Sequence, residues 1–320
     1  MSTLKEIIRL AKELPESCLA EVYEYMESAK QSAKEAEENA PAACPRCGEA
    51  AVKNGKKDGK QSYICKNCRR SFLERATSAL AHSQASDAVW KAVIRDTING
   101  VSLDATAADL ELAHSTVFNM RHKILRTVEQ AIEAAPVRLE GACQTDETYV
   151  LENEKGVAFS EFHHRQPRQN GIASRPGLSD EYICLTTSIT SENKIIACAV
   201  NRATPSKEEI ERVLGDRIED DTILLVDGNK SYAVLKDRCV VVRVEKDDQV
   251  QLNHFHSFIK ERLRRYRGVA TIYLNRYAAL FTVIFGKSDD ACDAVFALMQ
   301  KRNGFFTSID ELRTQNLLVI

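Results

Sequence analysis

Two pairs of cysteines constrain this chain more than any other feature. Cys44-Pro-Arg-Cys47 is followed by seventeen residues and then by Cys65-Lys-Asn-Cys68. Two thiolate pairs, each with two residues between them, fit the four tetrahedral positions around a zinc ion. Gly48 directly follows the first pair, where a metal knuckle needs a tight backbone turn. Asp58-Gly59 marks a hairpin between the pairs. A module this small has little core, so zinc would hold its fold together whether or not it touches a nucleic acid. Chance pairing or a redox motif is the competing reading. Lys53, Lys56, Lys57 and Lys60 in the loop, with Arg69 and Arg70 after it, suit contact with phosphate. Cys18, Cys143, Cys184, Cys198, Cys239 and Cys292 are scattered, several within apolar runs, as small buried hydrophobes of a reducing compartment are.

The net charge of −2 conceals an uneven distribution. Residues 1–40 carry five basic and nine acidic side chains, whereas residues 41–80 carry nine basic and three acidic. A near-neutral total therefore does not argue against nucleic acid. At 320 residues there is room for two or three domains. No apolar run approaches the roughly 20 residues of a membrane span. Acidic residues come early and no signal-peptide layout is present, so a cytoplasmic protein is expected.

Taken in order, residues 1–40 read as a helical arm broken near Pro15, used for packing or oligomerisation. Residues 41–80 hold the cysteine module. Residues 85–135 read as three helices. Ser86 caps the first, which turns Val89, Trp90, Val93, Ile94 and Ile98 inward, and Asn99-Gly100 ends it. A short helix over 102–110, a break over 111–113 and a long helix from His114 complete a helix-turn-helix layout. In such a layout the start of the last helix enters the major groove. Its exposed candidates are His114, Ser115, Thr116, Asn119, Arg121, His122 and Lys123. An ordinary three-helix packing unit would show the same pattern.

From Arg138 the periodicity changes to that of strands. Leu139 to Leu151 contains Asp146-Glu147, an unusual acidic pair within a β-rich run. If the strand is regular, Glu147 faces away from Asp146, in a supporting role. Residues 152–180 form a long polar loop with His163, His164, Arg165, Arg168 and Arg175, suited to gripping a nucleic-acid strand or to disorder. Strands are expected over 182–189, 194–200, 222–226 and 239–244, with helical segments over 205–214 and 229–236. The fourth of the five strands ends at Asp227-Gly228. Asn253 then opens a helix free of Gly and Pro until Gly268. Lys260 lies seven residues on, two turns down nearly the same face. Lys260 to Arg267 holds five basic residues and one acidic, including Arg262, Arg264 and Arg265. A solvated basic helix over a core would look similar. Residues 271–285 form another amphipathic helix, and residues 287–320 a helical tail.

The order of cysteine module, helix-turn-helix, Asp146-Glu147-Thr148-Tyr149-Val150, Asp227-Gly228 and Asn253-x6-Lys260 resembles the DDE-type insertion-sequence transposases. Within them it is similar to the zinc-ribbon branch in which Asn replaces the last Glu (DDNK, insertion-sequence family fifteen-ninety-five). The resemblance runs from about residue 44 to 286. It implies a multidomain protein: a helical arm, a zinc ribbon, a helix-turn-helix, an α/β ribonuclease-H-like catalytic domain with a mixed sheet over 138–286, and the tail. It implies that Asp146 and Asp227 are the principal Mg²⁺ ligands, with Mn²⁺ as a substitute. Asn253 takes the Glu position and Lys260 contacts DNA beside the reacting phosphate. His254 and His256 are further candidates there. Structural Zn²⁺ sits on Cys44, Cys47, Cys65 and Cys68. Double-stranded DNA, both transposon ends and target, is the implied partner, met by Lys56, Lys57, Ser115, Thr116, Asn119, Arg121, Lys123, Arg262, Arg264 and Arg265 in a homo-oligomer. A decayed relative that binds DNA and regulates transcription without catalysis is the alternative.

Overall fold

The computed structural model describes residues 28, 42–57, 59–155, 172–286, 290–301, 305 and 307–314. The arm expected over 1–40, Ser28 excepted, and most of the loop expected over 152–180 lie outside them. The chain divides into two compact units, Met1–Thr77 and Ser78–Ile320.

In the first unit, β1 (Ala42–Ala43), β2 (Ala50–Lys57), β3 (Lys60–Cys65) and β4 (Ser71–Leu73) form an antiparallel sheet in that order. Gly48 adopts φ +74°, the left-handed conformation that the knuckle after Cys47 demands. Among the described residues its core is small: Ala42, Cys44, Ala51, Tyr63, Cys65 and Phe72, with the rings of Tyr63 and Phe72 stacked at 5.8 Å. Two of its six members are cysteines, so burial alone gives this sheet little stability.

The second unit is built on a mixed five-stranded sheet. Its strands are β5 (Ala142–Leu151), β6 (Tyr182–Thr190), β7 (Ile195–Arg202), β8 (Ile223–Val226) and β9 (Val240–Arg243), in spatial order β7-β6-β5-β8-β9. Strand β6 runs antiparallel to both neighbours, while β8 and β9 run parallel to β5. Helix α4 (Lys207–Leu214) links β7 to β8 and begins with a Ser206–Glu209 capping box. Its Ile210, Val213 and Leu214 pack with Cys143, Cys184, Leu224 and Tyr232 in one apolar cluster.

Three helices precede the sheet: α1 (Asp87–Asn99), α2 (Leu103–Asp109) and α3 (His114–Ala134). Ser86 and Ser102 cap the first two through Val89 N and Ala105 N. Helices α5 (Val250–Arg265), α6 (Leu274–Ile284) and α7 (Ala291–Gln300) follow the sheet, and α8 (Ile309–Thr314) comes last among the described residues. The apolar stripe of α1, Trp90, Val93, Ile94 and Ile98, meets Ile124 and Leu125 of α3, Phe255 and Ile259 of α5, Phe281 of α6 and Val295 of α7 in one core. The three leading helices are thus packed into the same unit as the sheet. Among the described residues, no helix is long and apolar enough to cross a membrane.

Candidate active site

Strand lengths create the site. The parallel pairing of β5 with β8 ends at Thr145↔Val226, because β8 has only four residues. Strand β5 continues for six more, paired with β6. Asp146 and Asp227 are therefore the next residues on two adjacent parallel strands, at the carboxyl end of β8. The order of strands also reverses between β5 and β8, the position where open α/β sheets form their crevice. The same early end of β8 lets the carboxylate of Glu147 reach the crevice. One oxygen from each of Asp146, Glu147 and Asp227 lies within 4.8 Å of the others. This corrects the expectation that Glu147 faces away: strand alternation separates two side chains only where a neighbouring strand closes the sheet between them.

A cavity of about 520 Å³ opens there, lined among others by Asp146, Glu147, Asp227, Asn253, His256 and Lys260. Sequence positions more than a hundred residues apart thus meet at one place. Asn253 does not open its helix as expected; it is the fourth residue of α5, and its N–H donates to Gln249 O at 2.9 Å. The helix is seated by Gln249, fully buried, whose Nε2 donates to Thr145 O at 3.1 Å and Leu225 O at 2.8 Å, bridging β5 and β8. Leu252 N also donates to Gln144 Oε1 at 3.1 Å. Asn253 is half-buried and Lys260 exposed.

The acidic groups are held from behind. The backbone N–H of Asn229 donates to Asp227 Oδ1 at 3.1 Å and its side-chain Nδ2 to Glu147 Oε1 at 2.9 Å, so one residue holds both acids. Thr187 Oγ1 donates to Asp146 O at 2.8 Å and stands 2.6 Å from His256 Nε2. A hydroxyl has one proton to give, so His256 donates through Nε2 to Thr187. His256 therefore lines the cavity while buttressing β5 at Asp146, whereas His254 is exposed and outside the lining set. Burial, together with the charges of Asp146 and Asp227, pushes the Glu147 carboxyl up to about 7. Three crowded carboxylates repel unless a cation sits among them, and their hard oxygens suit Mg²⁺ or Mn²⁺.

The cysteines converge in the first unit. Cys44 Sγ lies 3.6 Å from Cys68 Sγ, and Cys47 Sγ lies 3.5 Å from Cys65 Sγ. All four sulfurs fall within 4.8 Å of one another. A tetrahedron of Zn–S bonds places sulfurs about 3.8 Å apart, so the set fits zinc. Arg46 N–H points at Cys44 Sγ and Cys68 N–H at Cys65 Sγ, at 3.4 and 3.5 Å. Amides directed at sulfur favour the thiolate a metal needs.

No protein-family model matches the chain. The chain is similar to a protein carried by a mobile element. An uncharacterized protein in the transposable element ISH50 of Halobacterium salinarum is 26% identical over 257 residues, 74% of this chain and 83% of that relative. Crystal structures of a pre-cleavage Mos1 transpososome and of the Mos1 strand transfer complex each cover 74% of this chain and 80% of their own. Their identities are 13% and 14% and their TM-scores 0.30 and 0.29, a likeness too slight to carry an argument.

The residues expected to meet DNA divide into two groups. His114, Ser115 and Thr116 are exposed at the start of α3, Asn119 is half-buried, and Lys56, Lys57 and Arg264 are exposed. Arg121 and His122, expected at the surface, are buried at 1% and 3% exposure. Arg121 Nη2 donates to Val101 O at 2.8 Å and its guanidinium stacks over Tyr266. Half-buried Lys123 reaches Ala81 O at 3.0 Å. Arg262 donates to Ile98 O at 3.0 Å at the end of α1 and stacks over Phe258, while Arg265 pairs with Glu261. Periodicity placed these on a basic face; the packing of α1 against α3 and α5 turns several of them inward. Sequence reasoning missed Glu147 as a member of the acidic group, and missed Thr187, Asn229 and Gln249. The brevity of the apolar run before Asp227 was the one available signal for Glu147.

Proposed function

We propose that this protein is a DNA transposase of an insertion sequence, with a ribonuclease-H-like catalytic domain. The observation that carries the reading is the meeting of Asp146, Asp227, Asn253 and Lys260 around one cavity. Relatedness to a protein in a transposable element supports it.

On this reading Asp146, Asp227 and Glu147 hold Mg²⁺, and the four cysteines hold zinc. Bound Mg²⁺ would supply charge stabilisation at the attacking and leaving oxygens of a phosphodiester. The chain's own residues then position the DNA. Lys260 offers an ammonium to a phosphate beside the reacting one, and Asn253 an amide, two turns earlier on the same helix. Thr187 and His256 keep the backbone at Asp146 fixed, and Asn229 keeps Glu147 and Asp227 apart at a set distance. In the first step water forms a bond to phosphorus, the bond from phosphorus to the 3′-oxygen breaks, and that oxygen leaves as a hydroxyl. In the second step the freed 3′-hydroxyl attacks a target phosphodiester, releasing a target 3′-oxygen. The exposed start of α3, with Ser115 and Thr116, is the candidate reader of transposon ends, and Lys56 and Lys57 add phosphate contacts. Action in the cytoplasm, as an oligomer on paired ends, belongs to the same proposal.

The test is strand transfer with DNA carrying the sequences that flank the coding region, in Mg²⁺ and in EDTA. Wild type should nick and join only in Mg²⁺. Asp146→Ala and Asp227→Ala should abolish both steps while end binding persists. Transfer by either variant would overturn the reading; specific binding with no nicking under any metal would favour a regulator.

A further inference from the structure

We propose that Arg243 is a second phosphate-holding residue at the acidic cavity, acting from the sheet while Lys260 acts from α5. This rests on the nucleic-acid reading of the site.

Arg243 is the last residue of β9 and pairs in parallel register with Val226, the residue before Asp227. Its side chain turns across the Asp227-Gly228 turn. A Cβ placed on Gly228 would stand 2.8 Å from Arg243 Nε and 3.2 Å from its Cζ. Gly228 also holds φ +109°. Glycine is needed there for the backbone conformation, and its missing Cβ leaves the space in which the guanidinium lies against the turn. Gly228 lines the cavity, and Arg243, which is not itself a lining residue, lies against Gly228 from outside it.

The guanidinium is also available. Arg243 is exposed, and among the described residues its side chain makes no ion pair or hydrogen bond, with Asp227 or any other group. Some arginines of this unit are engaged within the protein, among them Arg121 with Val101 O, Arg202 with Glu152, Arg262 with Ile98 O and Arg265 with Glu261, whereas Arg264 and Arg267 at the end of α5 are exposed and, among the described residues, as available as Arg243. An exposed arginine that lies against a glycine turn and bonds to no protein group has its donors free for a third party. Its planar fork suits the two non-bridging oxygens of a phosphodiester. A cation on β9 next to Asp227 and another on α5 would hold the backbone from two elements, fixing its direction across the acids.

The experiment uses full-length protein and supercoiled plasmid carrying the flanking DNA, with nicking rates measured in Mg²⁺ over a series of salt concentrations. One lost phosphate contact lowers the slope of log(kcat/KM) against log[salt] by about 0.9, so Arg243→Ala should be about eight-fold weaker at 0.1 M salt. The loss should fall on KM, with the Mg²⁺ requirement and melting temperature unchanged. Arg243→Lys should keep the salt slope and recover only part of the rate, because an ammonium lacks the fork. A wild-type salt slope and KM in Arg243→Ala, or a raised Mg²⁺ requirement with normal KM, would overturn the proposal while leaving the transposase reading intact. Wild-type protein no more active than Asp146→Ala would instead overturn that reading, and the role of Arg243 with it.

Discussion

Acidification should weaken the contact between α3 and α6 through one buried histidine. His122 is 3% exposed, its ring centroid 4.2 Å from those of both Phe118 and Tyr273. Its Nδ1 has no hydrogen-bond partner among the described residues, and the charges that act on it are the guanidiniums of Arg276 and Arg121. Burial first, then those two cations, lower its pKa from 6.5 to about 3. Between these values the unfolded chain holds a proton that the folded chain refuses, so stability falls as pH falls. Each pH unit below 6.5 costs about 1.4 kcal/mol, so the step from pH 7 to pH 5 removes about 2 kcal/mol through this residue. For a unit of this size that is roughly 4–8 °C in Tm. His122→Phe keeps an aromatic ring between Phe118 and Tyr273 but takes up no proton. Denaturant unfolding can be followed by Trp90, the single tryptophan, 1% exposed in the same core. Between pH 7 and 5 the wild type should lose about 2 kcal/mol more than the variant, since every other titrating group is shared. Parallel losses, or an NMR titration of the His122 ring with a pKa above about 6, would refute the reasoning.

Glu147→Gln removes one of three crowded charges yet keeps an oxygen to accept from Asn229. In EDTA at pH 8 it should be more stable than wild type, on the order of 1–3 kcal/mol, and Mg²⁺ should raise its melting temperature less; the opposite order in EDTA would show that the acids do not repel. Removing zinc with a strong chelator, or substituting Cys44→Ser with Cys65→Ser, should unfold the four-stranded sheet of the first unit while Trp90 emission is unchanged. Circular dichroism and zinc content read this out, and a sheet that persists without metal would show that its apolar core suffices.

Much of the fold was legible because local rules agreed with the final packing. The capping serines at 86, 102 and 206 and the glycine at 100 marked helix ends within a residue or two, since these side chains satisfy backbone groups wherever the helix ends up. The cysteine spacing specified its own geometry. What sequence could not give was which polar face meets protein and which meets water. Arg121, His122 and Arg262 sit at positions a solvated basic face would use. Only long-range packing decides that they turn toward protein: α5 brings Arg262 to Ile98 O and Tyr266 under Arg121, and Tyr273 covers His122. The contact of Arg262 with Ile98 O joins residues 164 positions apart, and no local pattern encodes it.

The position of Glu147 bears on why an asparagine can stand at 253. Counting carboxylates along the sequence finds a deficit: two aspartates, and an amide where the resemblance leads one to look for a third acid. Counting them in space finds three, because β8 stops at Val226 and lets Glu147 reach the crevice from β5. On the proposed reading the third negative charge comes from the sheet rather than from the helix. An acid at 253 would then be a fourth charge in a cavity where Glu147 is already pushed up to about 7 by burial and its neighbours. An amide adds no charge, and it can accept from or donate to whatever enters. It also leaves α5, from Asn253 to Lys260, a surface neutral or positive where it lines the cavity, which is what a helix laid along a phosphate backbone requires. On the proposed reading the division of labour follows from strand length: the sheet would gather the cations' ligands, and the helix would be free to face the nucleic acid.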